Sequence, residues 1–192
     1  MRRAHNIVIA CCALVATLPF TLLTMLAVKL DSRGPVFFRQ ERIGANGRPF
    51  TMIKFRSMYQ DGKADDERAW TTREADSRVT RVGKFMRLLH LDELPQLLNV
   101  IKGEMSLVGP RPFHPMQVAE LESKLPYFGL RQLVLPGITG WAQIRCDYDA
   151  STESCEEVLS RDLFYVKHAS LLFDTLIMLD TIRVCIWRRG AR

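Results

Sequence analysis

With 192 residues, 47% of them apolar, the chain is long enough for one domain with a substantial core, which excludes a disordered polypeptide. Its formal charge of +6 points to anionic partners: nucleic acid, acidic lipid or a phosphorylated small molecule. The five cysteines, Cys11, Cys12, Cys146, Cys155 and Cys185, are odd in number and form no CxxC pair, so the pattern favours inert thiols in a reducing compartment over a disulfide framework or a zinc site.

From Ile7 to Val28 no residue is charged, and about 20 such residues cross a bilayer. The stretch is long for a secretory signal and lacks an A-x-A-like cleavage site. Leu18-Pro19 interrupts it near the middle, where proline removes a donor and disfavours helical geometry at the preceding residue. Arg2 and Arg3 precede the stretch and Lys29 and Arg33 follow it, so basic flanks do not orient it. Local sequence leaves two forms open, a kinked span and a re-entrant hairpin broken at Leu18-Pro19.

Residues 29 to 56 carry seven basic and two acidic side chains, a collar suited to anionic headgroups or to a phosphate-binding wall. Val36 to Phe38 and Phe50 to Ile53 read as short strands between the turns at Arg33-Gly34-Pro35 and Gly44 to Gly47. Residues 60 to 78 are polar and aperiodic, hence a loop. Two helices follow, with apolar stripes at Val82, Phe85, Met86 and Leu89 and at Leu94, Leu97, Leu98 and Ile101; Lys102-Gly103 ends the second. The segments around Gly109 to Pro112 and Pro136 to Trp141 read as stiff or loop-rich. From Glu156 to Trp187 the pattern is helical, but Asp174, Asp180 and Arg183 suit an interfacial or core helix better than a span.

Asp92-Glu93-Leu94-Pro95-Gln96 opens the second helix if Asp92 is the N-cap and Pro95 lies in the first turn. Ordinary capping explains such a pair, and so does a carboxylate poised for chemistry. Arg87, on the polar side of the preceding helix, and Arg111, between two prolines, are candidate phosphate clamps, because a guanidinium binds phosphate oxygens in a fork. Taken singly, each arginine also fits a solvated surface charge.

Five blocks carry a resemblance: residues 31 to 44 (DSRGPVFFRQERIG), 54 to 58 (KFRSM), 91 to 96 (LDELPQ), 105 to 112 (MSLVGPRP) and 136 to 143 (PGITGWAQ). In order and spacing they resemble the signature blocks of the bacterial sugar transferases, the monotopic phosphoglycosyl transferases. The C-terminal portion resembles the exopolysaccharide-type branch. The resemblance implies an α+β, mostly helical monotopic membrane protein: a re-entrant helix-break-helix over residues 1 to 30, then a cytoplasmic catalytic domain over 31 to 192 with short strands and interfacial amphipathic helices. It implies catalysis by Asp92 as nucleophile with Glu93 as partner. Arg87, Arg111, Lys54 and Arg56 are expected to hold substrate phosphates, and Asp92 and Glu93 to hold Mg2+. The implied reaction moves a hexose 1-phosphate from a UDP-sugar to polyprenyl (undecaprenyl) phosphate through an aspartyl phosphosugar, initiating exopolysaccharide or other glycoconjugate synthesis. The implied location is the cytoplasmic face of the bacterial inner membrane, among phospholipids, with a homodimer as a candidate assembly.

Asn6, Leu18 and His90 stand where the family commonly has Asp, Ser and Ser. His90 is placed for proton transfer or as a hydrogen-bonding spectator. A rival reading, a membrane-tethered module for anionic lipid or nucleic acid, accounts for the charge alone, since no nucleic-acid motif is present. A scaffold would leave the acidic dyad and Arg111 without a task.

Overall fold

A computed structural model describes residues 2–59, 78–146 and 152–187. The protein is α+β and mostly helical. Its elements in chain order are α1 (Arg2–Asp31), β1 (Phe37–Ile43), β2 (Pro49–Phe55), α2 (Arg81–Leu88), α3 (Gln96–Lys102), β3 (Ser106–Val108), α4 (Pro115–Lys124), β4 (Gly137–Thr139), α5 (Thr152–His168) and α6 (Leu171–Trp187). The polar loop expected over 60 to 78 falls almost wholly outside the described residues.

The expected break at Leu18-Pro19 is not a break in helical structure, because Pro19 lies inside one continuous α1. Proline deletes a single helical hydrogen bond, and a helix this long absorbs the loss. The Thr17 hydroxyl bonds back to the Ala13 carbonyl at 2.7 Å, a contact that bends helices. α1 is also the one helix among the described residues long and apolar enough to cross a membrane.

Both ends of α1 dock on the rest of the chain. At the start, Arg2 forks onto Asp174 of α6 (3.0 and 3.1 Å) and donates to the Tyr165 hydroxyl of α5 (2.6 Å). One helical turn on, Asn6 donates to Ser106 of β3 at 2.8 Å. Ala10 then enters the main core with Leu97, Val100, Met105 and Tyr165. At the far end Val28 joins Phe55 and Met86 in a second core, against which Leu94 also packs. Asp31 there accepts from the Val82 amide at 3.1 Å. Between these arms Val15, Leu18, Phe20, Leu22 and Leu23 are exposed.

The two short strands read from sequence belong to longer ones: Val36 to Phe38 covers only the start of β1, and Phe50 to Ile53 the centre of β2. β1 and β2 pair antiparallel from Phe37↔Phe55 to Ile43↔Pro49, around a tight turn in which Asn46 takes a left-handed φ of 56°. β3, just before the segment read as stiff, and β4, inside the one read as loop-rich, form a separate parallel pair that the sequence did not announce. Glycine makes that pairing possible: a methyl group on Gly137 would stand 2.1 Å from the Gly109 amide nitrogen. The single C-terminal helix expected over 156 to 187 is two helices. Ser170 separates them, its hydroxyl accepting from the Phe173 amide at 3.2 Å as an N-cap does.

The stripe expected on α2 is only half inward. Met86 is buried, whereas Phe85 and Leu89 are exposed beside Leu88. The helix docks instead through Gly83, where an added methyl would lie 2.1 Å from the Ser57 carbonyl oxygen. Thr80 caps it, accepting from the Gly83 amide at 2.9 Å, and the Thr80 amide donates to the Ser57 carbonyl at 3.0 Å. Gly83→Ala should therefore lower the thermal midpoint in detergent. Alanine's helix propensity, worth about 1 kcal/mol, is opposed by overpacking against backbone that costs about 1–3 kcal/mol. A raised midpoint would contradict this docking.

Candidate active site

Asp92 and Glu93 lie in a 3-10 turn, Leu91–Glu93, between α2 and α3. His90 sets its direction by taking a left-handed conformation (φ 54°), which histidine tolerates better than most residues. The expected N-cap at Asp92 is displaced: Pro95 occupies that position with φ −63°, and α3 starts at Gln96. The turn before it follows 3-10 bonding, from the Glu93 amide to the His90 carbonyl and from the Leu94 amide to the Leu91 carbonyl. The dipole of so short a helix does not account for the state of Asp92. Its side-chain neighbours do.

Glu93 Oε1 accepts from Lys54 Nζ at 2.7 Å and faces Arg111 Nη2 at 3.4 Å. Burial alone would push its carboxyl pKa up, but the two cations outweigh that penalty and hold it at about 2. Glu93 is therefore anionic throughout the physiological range. Asp92 moves the other way. Burial raises its pKa, the charge of Glu93 adds to the rise, and Lys54 and Arg87 only partly oppose it. Adjacent carboxylates with divergent proton affinities can take different roles. The more basic one, once ionised, is the better nucleophile.

Arg87 projects from α2, and its Nε donates to the Ser57 hydroxyl at 3.0 Å. The close approach at Gly83 thus also fixes where this guanidinium stands. Arg111 comes from the segment after β3, its side chain partly exposed while its backbone is held from behind. The structure brings Lys54, Arg87, Asp92, Glu93 and Arg111 together. Arg56, expected among them, is buried, and its Nη2 binds the Ser32 carbonyl and hydroxyl at 2.8 and 2.9 Å, pinning the exit of α1. Leu18 and Pro19 lie in the exposed middle of α1. His90 is exposed at the rim of the turn.

Three contributors went unread in the sequence. Ser57 was visible inside KFRSM, yet nothing there announces it as a seat for Arg87. Arg131 and Asp162, a buried ion pair at 2.6 Å, lie too far apart along the chain for pattern to join them.

The chemistry of the donors bears on magnesium. Among the described residues no cluster of three or more His, Cys, Asp or Glu could cage a metal. Asp92 and Glu93 do offer hard oxygen donors side by side, which suits an ion shared between one or two carboxylates and substrate phosphates. The residues fit a shared magnesium and not a protein-only site.

The family model described as "Bacterial sugar transferase" matches residues 1–188. The chain is 41% identical over its whole length to the UDP-N-acetylgalactosamine-undecaprenyl-phosphate N-acetylgalactosaminephosphotransferase of Aeromonas hydrophila, covering 45% of that protein. It is 44% identical, over 99% of its length, to the undecaprenyl-phosphate glucose phosphotransferase of Komagataeibacter xylinus, covering 36% of it. Against the exopolysaccharide production protein ExoY of Sinorhizobium fredii it is 40% identical, with 99% and 87% covered. The chain thus spans less than half the length of the first two relatives. On a family match over nearly its full length, the chain belongs to the bacterial sugar transferases.

Proposed function

We propose that this chain transfers a hexose 1-phosphate from a UDP-sugar to polyprenyl phosphate through a covalent aspartyl phosphosugar on Asp92. The observation that carries the reading is a half-buried Asp92 whose carboxyl pKa is raised by burial and by the Glu93 charge, with Lys54 and Arg87 acting on it and Glu93 kept anionic beside it. In the first step an Asp92 oxygen attacks the sugar-bearing phosphorus, the bond to the bridging oxygen breaks, and UMP leaves with that oxygen. In the second, a phosphate oxygen of the polyprenyl phosphate attacks the same phosphorus and Asp92 departs as carboxylate. Splitting the transfer lets one site serve two bulky anions in turn.

Arg87 and Arg111 are suited to hold the diphosphate by forked hydrogen bonds, and Lys54 to hold Glu93 clear of the attacking oxygen. Magnesium, when bound by Asp92, Glu93 and the diphosphate, would offset negative charge on the donor and on departing UMP. The sugar itself is not set by overall similarity, since relatives at 41% and 44% identity are named for N-acetylgalactosamine and for glucose.

The membrane reading is a re-entrant α1 with both ends on the cytoplasmic side. What supports it is the docking of Arg2, Asn6 and Ala10 and of Val28 and Asp31 on one body, with the apolar middle exposed. Each arm, of about 15 residues, rises roughly 20 Å, enough to enter one leaflet and return. α6 supports an interfacial seat: Leu172, Leu176, Leu179 and Ile182 are exposed along one face, while Asp174 and Ile177 face inward. The site would then meet the lipid-borne phosphate at headgroup depth.

Three outcomes test this. Asp92→Asn should cut UMP release more than about a thousandfold without changing folding, and intact mass after exposure to donor alone should show a phosphosugar adduct on the parent protein only; turnover by the variant would refute the nucleophile. Chelation should abolish transfer and leave the thermal midpoint in place, whereas full activity in excess chelator would remove magnesium from the reading. A cysteine introduced as Arg3→Cys, in a chain stripped of native cysteines, should react with an impermeant maleimide only once the inner membrane is opened. Labelling from outside sealed cells would instead establish a span.

A further inference from the structure

The segment that carries Arg111 is held carbonyl by carbonyl. The Pro110 carbonyl accepts from the Gly137 amide at 3.0 Å and the Phe113 carbonyl from the Ile43 amide at 3.0 Å. Between them, the Arg111 carbonyl accepts from Arg131 Nη2 at 2.8 Å and the Pro112 carbonyl from Arg42 Nη1 at 3.5 Å. Four consecutive carbonyls are thus taken by β4, by β1 and by two arginines. One of these holds the backbone of Arg111 itself.

Arg131 is an expensive choice for that task. It lies in the 3-10 segment Phe128–Leu133, only 4% exposed, packed beside two rings that stack on each other at 5.9 Å, with its guanidinium carbon 4.4 Å from the Phe113 centroid and 5.1 Å from that of Phe128. Asp162 of α5 neutralises it through a single oxygen, which accepts from Nε at 3.0 Å and from Nη2 at 2.6 Å. Burying both charges costs several kcal/mol before any gain, and apolar residues of similar size commonly serve stability as well or better. Stability alone is a weak reason for the pair. A planar donor fixed by two rings and a carboxylate does, however, leave the Arg111 backbone very little freedom.

We infer that Arg131, locked by Asp162, is a positioning residue for the transfer, setting the Arg111 backbone so that its guanidinium stands beside Glu93, where the donor diphosphate is to bind. This rests on the proposed role of Arg111. It adds a device reaching from α5 through the aromatic pair to the site, without contact between Arg131 and any reacting atom. A misplacement of about 1 Å in such a clamp can cost about a hundredfold in rate.

The test replaces the pair together, Arg131→Met with Asp162→Leu, which removes both buried charges and the bond to the Arg111 carbonyl while filling the space. The full chain in detergent, mixed with UDP-glucose or UDP-N-acetylgalactosamine, whichever the parent turns over, is followed by the rate of phosphosugar adduct formation. The expected result is an unchanged or raised thermal midpoint with adduct formation slowed about 10- to 100-fold. In an Arg111→Lys background the same pair replacement should cost less than about twofold further, because its effect passes through Arg111. Should the pair replacement fail to fold, Arg131→Lys, which keeps the charge beside Asp162 but not the fork, is put through the same comparison. Unchanged adduct rates, or losses that multiply with that of Arg111→Lys, would overturn the inference while leaving Asp92 chemistry standing. Wild-type rates in Arg111→Lys alone would overturn the role of Arg111 and this inference with it. Absence of any adduct on the parent protein would strike the proposed reaction instead, and the same pair replacement would then be read by UMP release.

Discussion

The Glu93 carboxylate, closed between Lys54 and Arg111, is the contact on which the site depends. It joins three parts of the fold that share no sequence proximity: the β1–β2 hairpin, the turn after α2 and the proline-flanked segment after β3. Burial, with the charge of Glu93 added to it, leaves the neighbouring Asp92 less stable as an anion, and Lys54 and Arg87 only partly offset this. A buried charge robbed of its partner typically costs about 3–5 kcal/mol, so each member constrains the other two. The same electrostatics that hold the site together keep its two carboxylates unlike.

Around that centre the chain uses close backbone approach where larger side chains would separate the parts. Gly83 brings α2 onto Ser57 and thereby fixes Arg87, and Gly109 and Gly137 bring β3 against β4 and thereby fix the start of the Arg111 segment. A second polar network, Arg2 with Asp174 and Tyr165, ties α1 to α5 and α6, and the Tyr165 hydroxyl also reaches the Val108 carbonyl at 3.0 Å. Val108 immediately precedes the Arg111 segment. The apolar helix and the charged site are thus mechanically adjacent although their chemistry is unrelated.

Much of this was legible from residue pattern, for reasons that can be stated. The uncharged stretch from Ile7, the hairpin turns and the Gly103 helix stop are local signals, and Gly103 indeed ends α3 with a left-handed φ of 84°. The Asp92-Glu93 pair and the two arginines were legible as types but not as geometry. The start of α3 was misread because proline at the fourth position of the motif fits a first helical turn as well as the cap it actually occupies. β3 and β4 were missed because three-residue strands are too short to carry a period, and the glycines that let them meet, Gly109 and Gly137, read locally as turn or loop residues. Arg56 was read as a ligand since charge on a basic strand says nothing about which side is buried. Arg131 and Asp162 meet only through the packing of α5 against a 3-10 segment, which no local window contains.

The two docked ends of α1 have a practical meaning for anyone purifying this protein. Ala10 and Val28 are not appendages dipped in lipid; each completes a different internal cluster, alongside Tyr165 in one and Met86 in the other. Trimming the apolar helix to gain a water-soluble fragment would open two holes in the globule at once and strip Asp174 of its cation. The apolar helix cannot be cut from the body it completes, so solubilisation has to cover its exposed middle and leave both ends seated.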